Sequence, residues 1–185
     1  MESTAKEIKK YSVEEYYKKV ENYSTLTELR SGEIVDLASP SVKHQKISMQ
    51  ITWKINSYIK DNNGKCEVYS APTDVKLNEN NIVIPDIFIA CKPENFDSQK
   101  YNGSPEFIAE IVSTNWADDY IRKLHLYQEN GVREYWIVDP KNSQVTVYFF
   151  EEQISKRYSF DDDILVNIYK NNTPNLIINI SELIQ

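Results

Sequence analysis

Apolar positions recur at helical spacing twice in the first third of the chain. Val13, Tyr16, Tyr17 and Val20 follow Ser12 and Glu15, whose three-residue spacing fits a capping box, and predict a short first helix. From Ser41 to about Lys60, Ile47, Ile51, Ile55, Tyr58 and Ile59 form an apolar stripe, with His44 one turn before Ile47, and predict a long helix. Asn62, Asn63 and Gly64 stop it. Between the two helices, Leu26 to Leu29 and Glu33 to Leu37 flank the turn signal Ser31-Gly32 and predict a hairpin ending near Pro40, with Glu33 opening its second strand.

The middle of the chain changes period. CEVYSAPTDVKL and IVIPDIFIAC alternate or run apolar, separated by the turn-rich NENN, and predict a three-stranded antiparallel unit. After a loop from Lys92 to Pro105 come the strand EFIAEIV, a helix from about Ala117 to Asn130 closed by Gly131, and the strand EYWIVDP. Strand, helix and strand in that order imply a right-handed crossover and a parallel pair, with EYWIVD apolar enough to be central. QVTVYFF, the segment from Ile154 to Phe160, and NLIINI predict further short strands. The fold class is therefore mixed α+β, an α/β arrangement with a central mixed β-sheet flanked by helices.

Composition narrows the class. A chain of 185 residues suits a single domain: N-terminal helix and hairpin over 12–40, core over about 41–150, C-terminal strands over 151–185. With 41% hydrophobic and 26% charged residues and only four glycines, disorder is expected only at the ends. The start, MESTAKEIKKYS, lacks a signal-peptide apolar run, and no stretch approaches the roughly 18 apolar residues of a membrane span, so a cytoplasmic protein with no membrane partner is expected. Cys66 and Cys91 stand far apart with no partner at ligand spacing and are expected as buried, reduced thiols. A net charge of −7 and a pI near 5.0 argue against indiscriminate phosphate binding. Net charge does not exclude local patches, and bound metal offsets the charge of a carboxylate site.

The clearest anomaly is a pair of carboxylates. Asp86 follows Pro85 within IVIPDIFIAC, and Glu110 sits within FIAEIV, each among apolar neighbours. An unpaired ionised carboxylate removed from water costs several kcal/mol, so such a residue ends a strand, pairs with a cation or binds metal. Local pattern alone leaves ion pairing and a metal site equally open. Oxygen ligands would select Mg²⁺ or Mn²⁺.

The stretch EIVSTNWADDYIRKLHLYQENGVREYWIVDP makes the reading specific. It resembles the Uma-two family of restriction endonucleases in Glu110, Ser113, Asp119, Lys123, Tyr127, Gly131, Val132, Glu134, Tyr135, Trp136, Val138, Asp139 and Pro140, with Pro85 and Asp86 upstream. Gly32, Glu33, Ser39, Pro40 and His44 match the family's N-terminal features, and the likeness runs from about Val13 to Phe150. It implies the PD-(D/E)XK nuclease fold, a restriction-endonuclease-like core with an Asp and a Glu on adjacent strands beside a lysine. Asp86 and Glu110 match the two acids. The lysine usual two residues after the Glu is Val112 here, and Lys123, on the following helix, is the position that matches instead.

The resemblance implies a metal-dependent endonuclease acting on nucleic acid, with DNA the expected substrate and a homodimer the expected assembly. Asp86 and Glu110 would hold Mg²⁺ or Mn²⁺, the backbone carbonyl of Ile111 would be a third ligand, and Lys123 would orient the attacking water. Glu33, His44 and Asp119 are secondary site candidates, while Tyr127, Tyr135 and Trp136 are expected as core packing. The competing readings are a nuclease-fold protein that binds nucleic acid without cleaving it, and an interaction domain whose buried acids are merely ion-paired.

Overall fold

The computed structural model describes residues 9–113 and 118–184, the side chains of Asp118 and Asp119 excepted. In chain order the elements are α1 (Val13–Val20), β1 (Thr27–Arg30), β2 (Glu33–Asp36), α2 (Val42–Asp61), β3 (Glu67–Ser70), β4 (Asp74–Asn78), β5 (Asn81–Val83), β6 (Ile87–Ala90), β7 (Lys100–Asn102) and β8 (Phe107–Ile111). A π-helical turn (Asp118–Lys123) then leads into α3 (Leu124–Glu129), followed by β9 (Glu134–Asp139), β10 (Gln144–Phe149), β11 (Ile154–Ser159), β12 (Ile164–Leu165), β13 (Ile177–Ile178) and α4 (Ile180–Leu183).

Both early helices start where their caps dictate. Ser12 accepts the Glu15 N–H while the Glu15 carboxylate accepts the Ser12 N–H, closing the expected capping box. The Ser41 hydroxyl accepts the His44 N–H and starts α2. The expected hairpin is the antiparallel pair β1 and β2, in which Arg30 faces Glu33. The expected helix start at Ala117 lies outside the described residues. Gly131 takes a φ of +80° just past α3, as a helix-ending glycine should.

The three-stranded antiparallel unit expected between residues 66 and 91 does not form. Each apolar run is cut by a proline, Pro72 in the first and Pro85 in the second, and the halves join different sheets. Proline has no N–H for the ladder, so each run changes partner there. The outer halves, β3 and β6, pair with each other in a six-stranded sheet ordered β11-β10-β9-β8-β6-β3. The inner halves, β4 and β5, pair in a five-stranded sheet ordered β2-β1-β5-β4-β7. Both sheets are mixed: β8 runs parallel to β9, and β4 parallel to β7, as the other pairs run antiparallel. Of NLIINI only β13 is strand, and it pairs with β12 before α4 begins.

The cysteine expectation is also overturned, since Cys66 and Cys91 form a disulfide and are only partly buried. The register of β3 on β6 pairs Glu67 with Ala90 and so sets positions 66 and 91 opposite each other. Sequence distance hid that proximity.

Strand alternation distributes side chains to two faces of the six-stranded sheet. Ile87, Ile89, Phe107, Ala109, Trp136 and Val138 pack under the Ile47, Ile51, Ile55 and Ile59 stripe of α2 and against C-terminal residues such as Ile164 and Ile178. Phe88, Ile108, Tyr135 and Ile137 pack against Leu126 and Tyr127 of α3 and against Val75 and Val83 of the other sheet. Glu110, next to Ile108 by alternation, falls on the α3 side. No described helix is long and apolar enough to cross a membrane.

Two residues of the matched motif act structurally. Asp139 accepts N–H groups from Lys141 and Asn142 and shapes the turn between β9 and β10. Glu134, buried on the α2 side, accepts the Trp136 indole N–H at 2.7 Å and the Ile168 N–H at 3.0 Å. Burial pushes its carboxyl up to about 7, against the pull of these donors. A carboxyl that holds its proton more tightly folded than unfolded loses stability as pH rises from its unfolded value of 4.5 through about 7. That contribution amounts to at most roughly 3 kcal/mol. Urea denaturation at pH 4.5 to 8 is expected to give Glu134→Gln a flatter decline in stability across this window than the parent chain, whatever its baseline.

Candidate functional site

The antiparallel register of β6 on β8, with Ile87 opposite Ala109, brings Asp86 level with Glu110 across neighbouring strands. Asp86 lies at the bend before β6 rather than inside a strand, because Pro85 has already broken the ladder. Its Oδ2 accepts the Ile111 N–H at 2.7 Å and is 2.9 Å from His44 Nε2. An ionised carboxylate only accepts, so Nε2 carries the hydrogen, while the buried His44 Nδ1 has no hydrogen-bond partner among the described residues. The Asp86 side chain remains 17% exposed, at the floor of a cleft of about 330 Å³.

Glu110 is more deeply held, at 2% exposure. Its Oε1 lies 2.9 Å from the Lys123 amine and accepts the Tyr127 hydroxyl at 2.6 Å. Lys123 ends the π-helical turn and Tyr127 follows in α3 one turn later, so the two side chains point at the same carboxylate. Burial, and then the Glu110 charge, raises the Tyr127 phenol well above its ordinary value, so the hydroxyl stays a donor.

The structure thus brings Asp86, Glu110, Lys123, His44 and Ile111 to one cleft. Glu33 is not among its lining residues, since it opens β2 beside Arg30 with its backbone at the hairpin turn. The Asp119 side chain lies outside the described residues. Among the described residues no group of three or more His, Cys, Asp or Glu is placed to hold a metal ion.

Sequence reasoning missed three contributors. Tyr127 reads as packing, yet its hydroxyl is spent on Glu110; the i, i+4 spacing from Lys123 was the available signal. Glu28 is fully buried in β1, accepts the Ile84 N–H at 2.7 Å and pairs with Arg30, which lines the cleft. Opposite charges two apart in a predicted strand share a face, which is the signal for that pair. With Arg122 and Lys123 also lining the cleft, the acidic chain presents three cationic side chains there.

Comparison with known proteins agrees with this architecture. Residues 13–169 match the family described as "Uma2: Putative restriction endonuclease". An uncharacterised protein of Synechocystis sp. is 25% identical over 142 residues, covering 75% of this chain and 74% of its own length. The crystal structure of a "putative nuclease belonging to DUF820" from Anabaena variabilis superposes with a TM-score of 0.74 over 94% of this chain and 97% of that one. At 19% identity that likeness speaks for the fold.

Removing only the hydroxyl tests what Tyr127 does. Tyr127→Phe is expected to destabilise the chain by about 1–2 kcal/mol in urea denaturation, since a hydrogen bond to a buried carboxylate is lost while the ring still packs. An unchanged denaturation midpoint would show that the contact carries no weight.

Proposed function

The chain belongs to the Uma2 family of putative restriction endonucleases, and on that premise we propose that it is a divalent-metal-dependent endonuclease hydrolysing phosphodiester bonds of DNA. The observation that carries the reading is the level pairing of Asp86 and Glu110 in a cleft also lined by Lys123.

The donor set fits a hard cation. Two carboxylates meet from neighbouring strands, and Asp86 Oδ1 takes no hydrogen bond among the described residues. Magnesium keeps several waters and is commonly held by one or two protein carboxylates, so a larger cluster is not required. Asp86, Glu110 and the backbone carbonyl of Ile111 would hold the ion. Bound there, it would polarise the scissile phosphate and acidify a water.

The protein's own groups prepare that chemistry. His44 and the Ile111 N–H both hold Oδ2 of the Asp86 carboxylate, leaving Oδ1 for the cleft. Tyr127 fixes Glu110 in the same way from α3. Lys123 keeps a positive charge beside Glu110 and offsets negative charge developing on the phosphate, without reorganising during the reaction. Glu28 braces Arg30 at the cleft wall, where a guanidinium suits a phosphate oxygen pair.

A second reading, a nucleic-acid-binding protein without cleavage, draws on the engagement of Glu110 Oε1 by both Lys123 and Tyr127. Nicking of supercoiled plasmid with and without Mg²⁺ separates the two. Asp86→Ala, Glu110→Ala and Lys123→Ala are each expected to lower the metal-dependent rate by about 10²-fold or more with unchanged circular dichroism. Calorimetric titration with Mn²⁺ is expected to register binding to the parent and none to Glu110→Ala. Full activity in Glu110→Ala would sink the assignment.

A further inference from the structure

A second groove, of about 970 Å³, leaves the cleft at His44 and Asp86 and runs between the outer face of α2 and β3. β3 is the last strand of its sheet, and its Val68 and Ser70 line this groove. Met49, Trp53 and Asn56 of α2 and Val68 of β3 line it. From His44 to Asn56 the groove follows about 18 Å of helix.

Two features of this surface are unusual together. Val42, Met49 and Trp53, spaced on one face of α2, are 88%, 60% and 59% exposed, although an indole is ordinarily among the more buried side chains. The same helix carries Lys43, Lys46, Lys54 and Lys60 against one acid, Asp61 at its last position, on a chain whose net charge is −7. A second copy of the chain seated there by two-fold symmetry would oppose two lysine-rich helices. An anionic occupant with flat apolar faces answers both features. An unpaired nucleic-acid strand is such an occupant, because its bases are free to stack on an indole while its phosphates pass Lys46, the lysine of α2 that lines the groove. In a duplex the base faces are already stacked and Trp53 would have nothing to hold.

Resting on the nuclease reading, we propose that the groove along α2 is the track of a single-stranded segment flanking the scissile phosphate, with Trp53 as its stacking platform. The substrate is then DNA that is unpaired on one side of the cut, such as a frayed end, flap or bubble. The shared His44 and Asp86 lining makes the track continuous with the cleft, so a strand lying on Trp53 delivers its neighbouring phosphate to Asp86 and Glu110.

The test uses the full chain, a fluorescein-labelled oligodeoxythymidylate and a blunt hairpin duplex, with binding followed by anisotropy in Ca²⁺ and cleavage in Mg²⁺. The single strand is expected to bind more tightly than the duplex. Trp53→Ala is expected to weaken single-strand binding about tenfold, Trp53→Phe to restore most of it, and neither to change duplex affinity. Glu110→Ala is expected to fail to cut, while adding Trp53→Ala to it still weakens single-strand binding about tenfold. If Trp53→Ala and Met49→Ala bind the single strand as the parent does while the parent still cuts, the track is refuted and the nuclease reading stands. If the parent binds the single strand through Trp53 yet cuts no substrate, the track stands and the nuclease reading fails. If sedimentation shows that Trp53→Ala turns a dimer into a monomer, the face joins two copies and the proposal is overturned.

Discussion

Everything at the site depends on where the ladder between β6 and β8 stops. Continued by two more residues, it would set Ile111 against Pro85, which has no N–H to return. The Ile111 N–H is donated instead to the Asp86 carboxylate at 2.7 Å. A backbone donor bound to a charged acceptor contributes about 1.5–3 kcal/mol, more than an ordinary ladder bond, so the substitution does not weaken the sheet end. It also fixes Asp86 at the height of Glu110. One proline thus ends a strand, releases a run into a second sheet and aims a carboxylate.

The buried acids divide by the company they keep. Glu28 has Arg30, Glu110 has Lys123, and Asp86 has His44. Glu134 accepts the Trp136 indole N–H and the Ile168 N–H, while the Asn167 N–H and the more distant Arg133 charge also lower its proton affinity. Desolvation outweighs all of these and raises its proton affinity. The three acids with a basic partner all belong to the cleft or its wall, whereas Glu134 lies on the opposite face under α2. A basic side chain in direct contact therefore distinguishes the carboxylates of the cleft and its wall from Glu134 on the α2 side.

Local periodicity carried the helices, the hairpin and the parallel crossover, while the adjacency of the two acids and the choice of Lys123 came from the run of positions matched to the family. Periodicity alone left both open. What it could not carry was pairing set by register at a distance. The disulfide needs β3 laid against β6, and the exchange of strands at Pro72 and Pro85 needs two sheets competing for one run. The Tyr127 hydroxyl was misread because an aromatic in a core helix is usually packing, and only the third dimension reveals that its polar end meets Glu110. Glu33 was favoured over Glu28 and Arg30 by its match to the family's N-terminal features, though alternation within β1 turns that earlier pair inward.

The acidic net charge is the remaining tension with a nucleic-acid substrate, and the sheet order resolves much of it. Glu151 and Glu152 sit in the turn between β10 and β11, and Asp161, Asp162 and Asp163 follow β11 at once. β11 is one edge of the six-stranded sheet, and β3, beside the α2 groove, is the other. β8 and β6, which position the two acids of the cleft, lie three and four strand spacings from β11, about 14–19 Å, which exceeds the screening length of about 8 Å in physiological salt. The acids clustered beyond β11 are therefore screened from the cleft. What a phosphate senses there is the local set of Arg30, Arg122 and Lys123 against Asp36, Asp86 and Glu110. With Glu28 paired to Arg30, that set carries no positive excess by itself, so a divalent ion held by the two carboxylates would tip the cleft toward an anion.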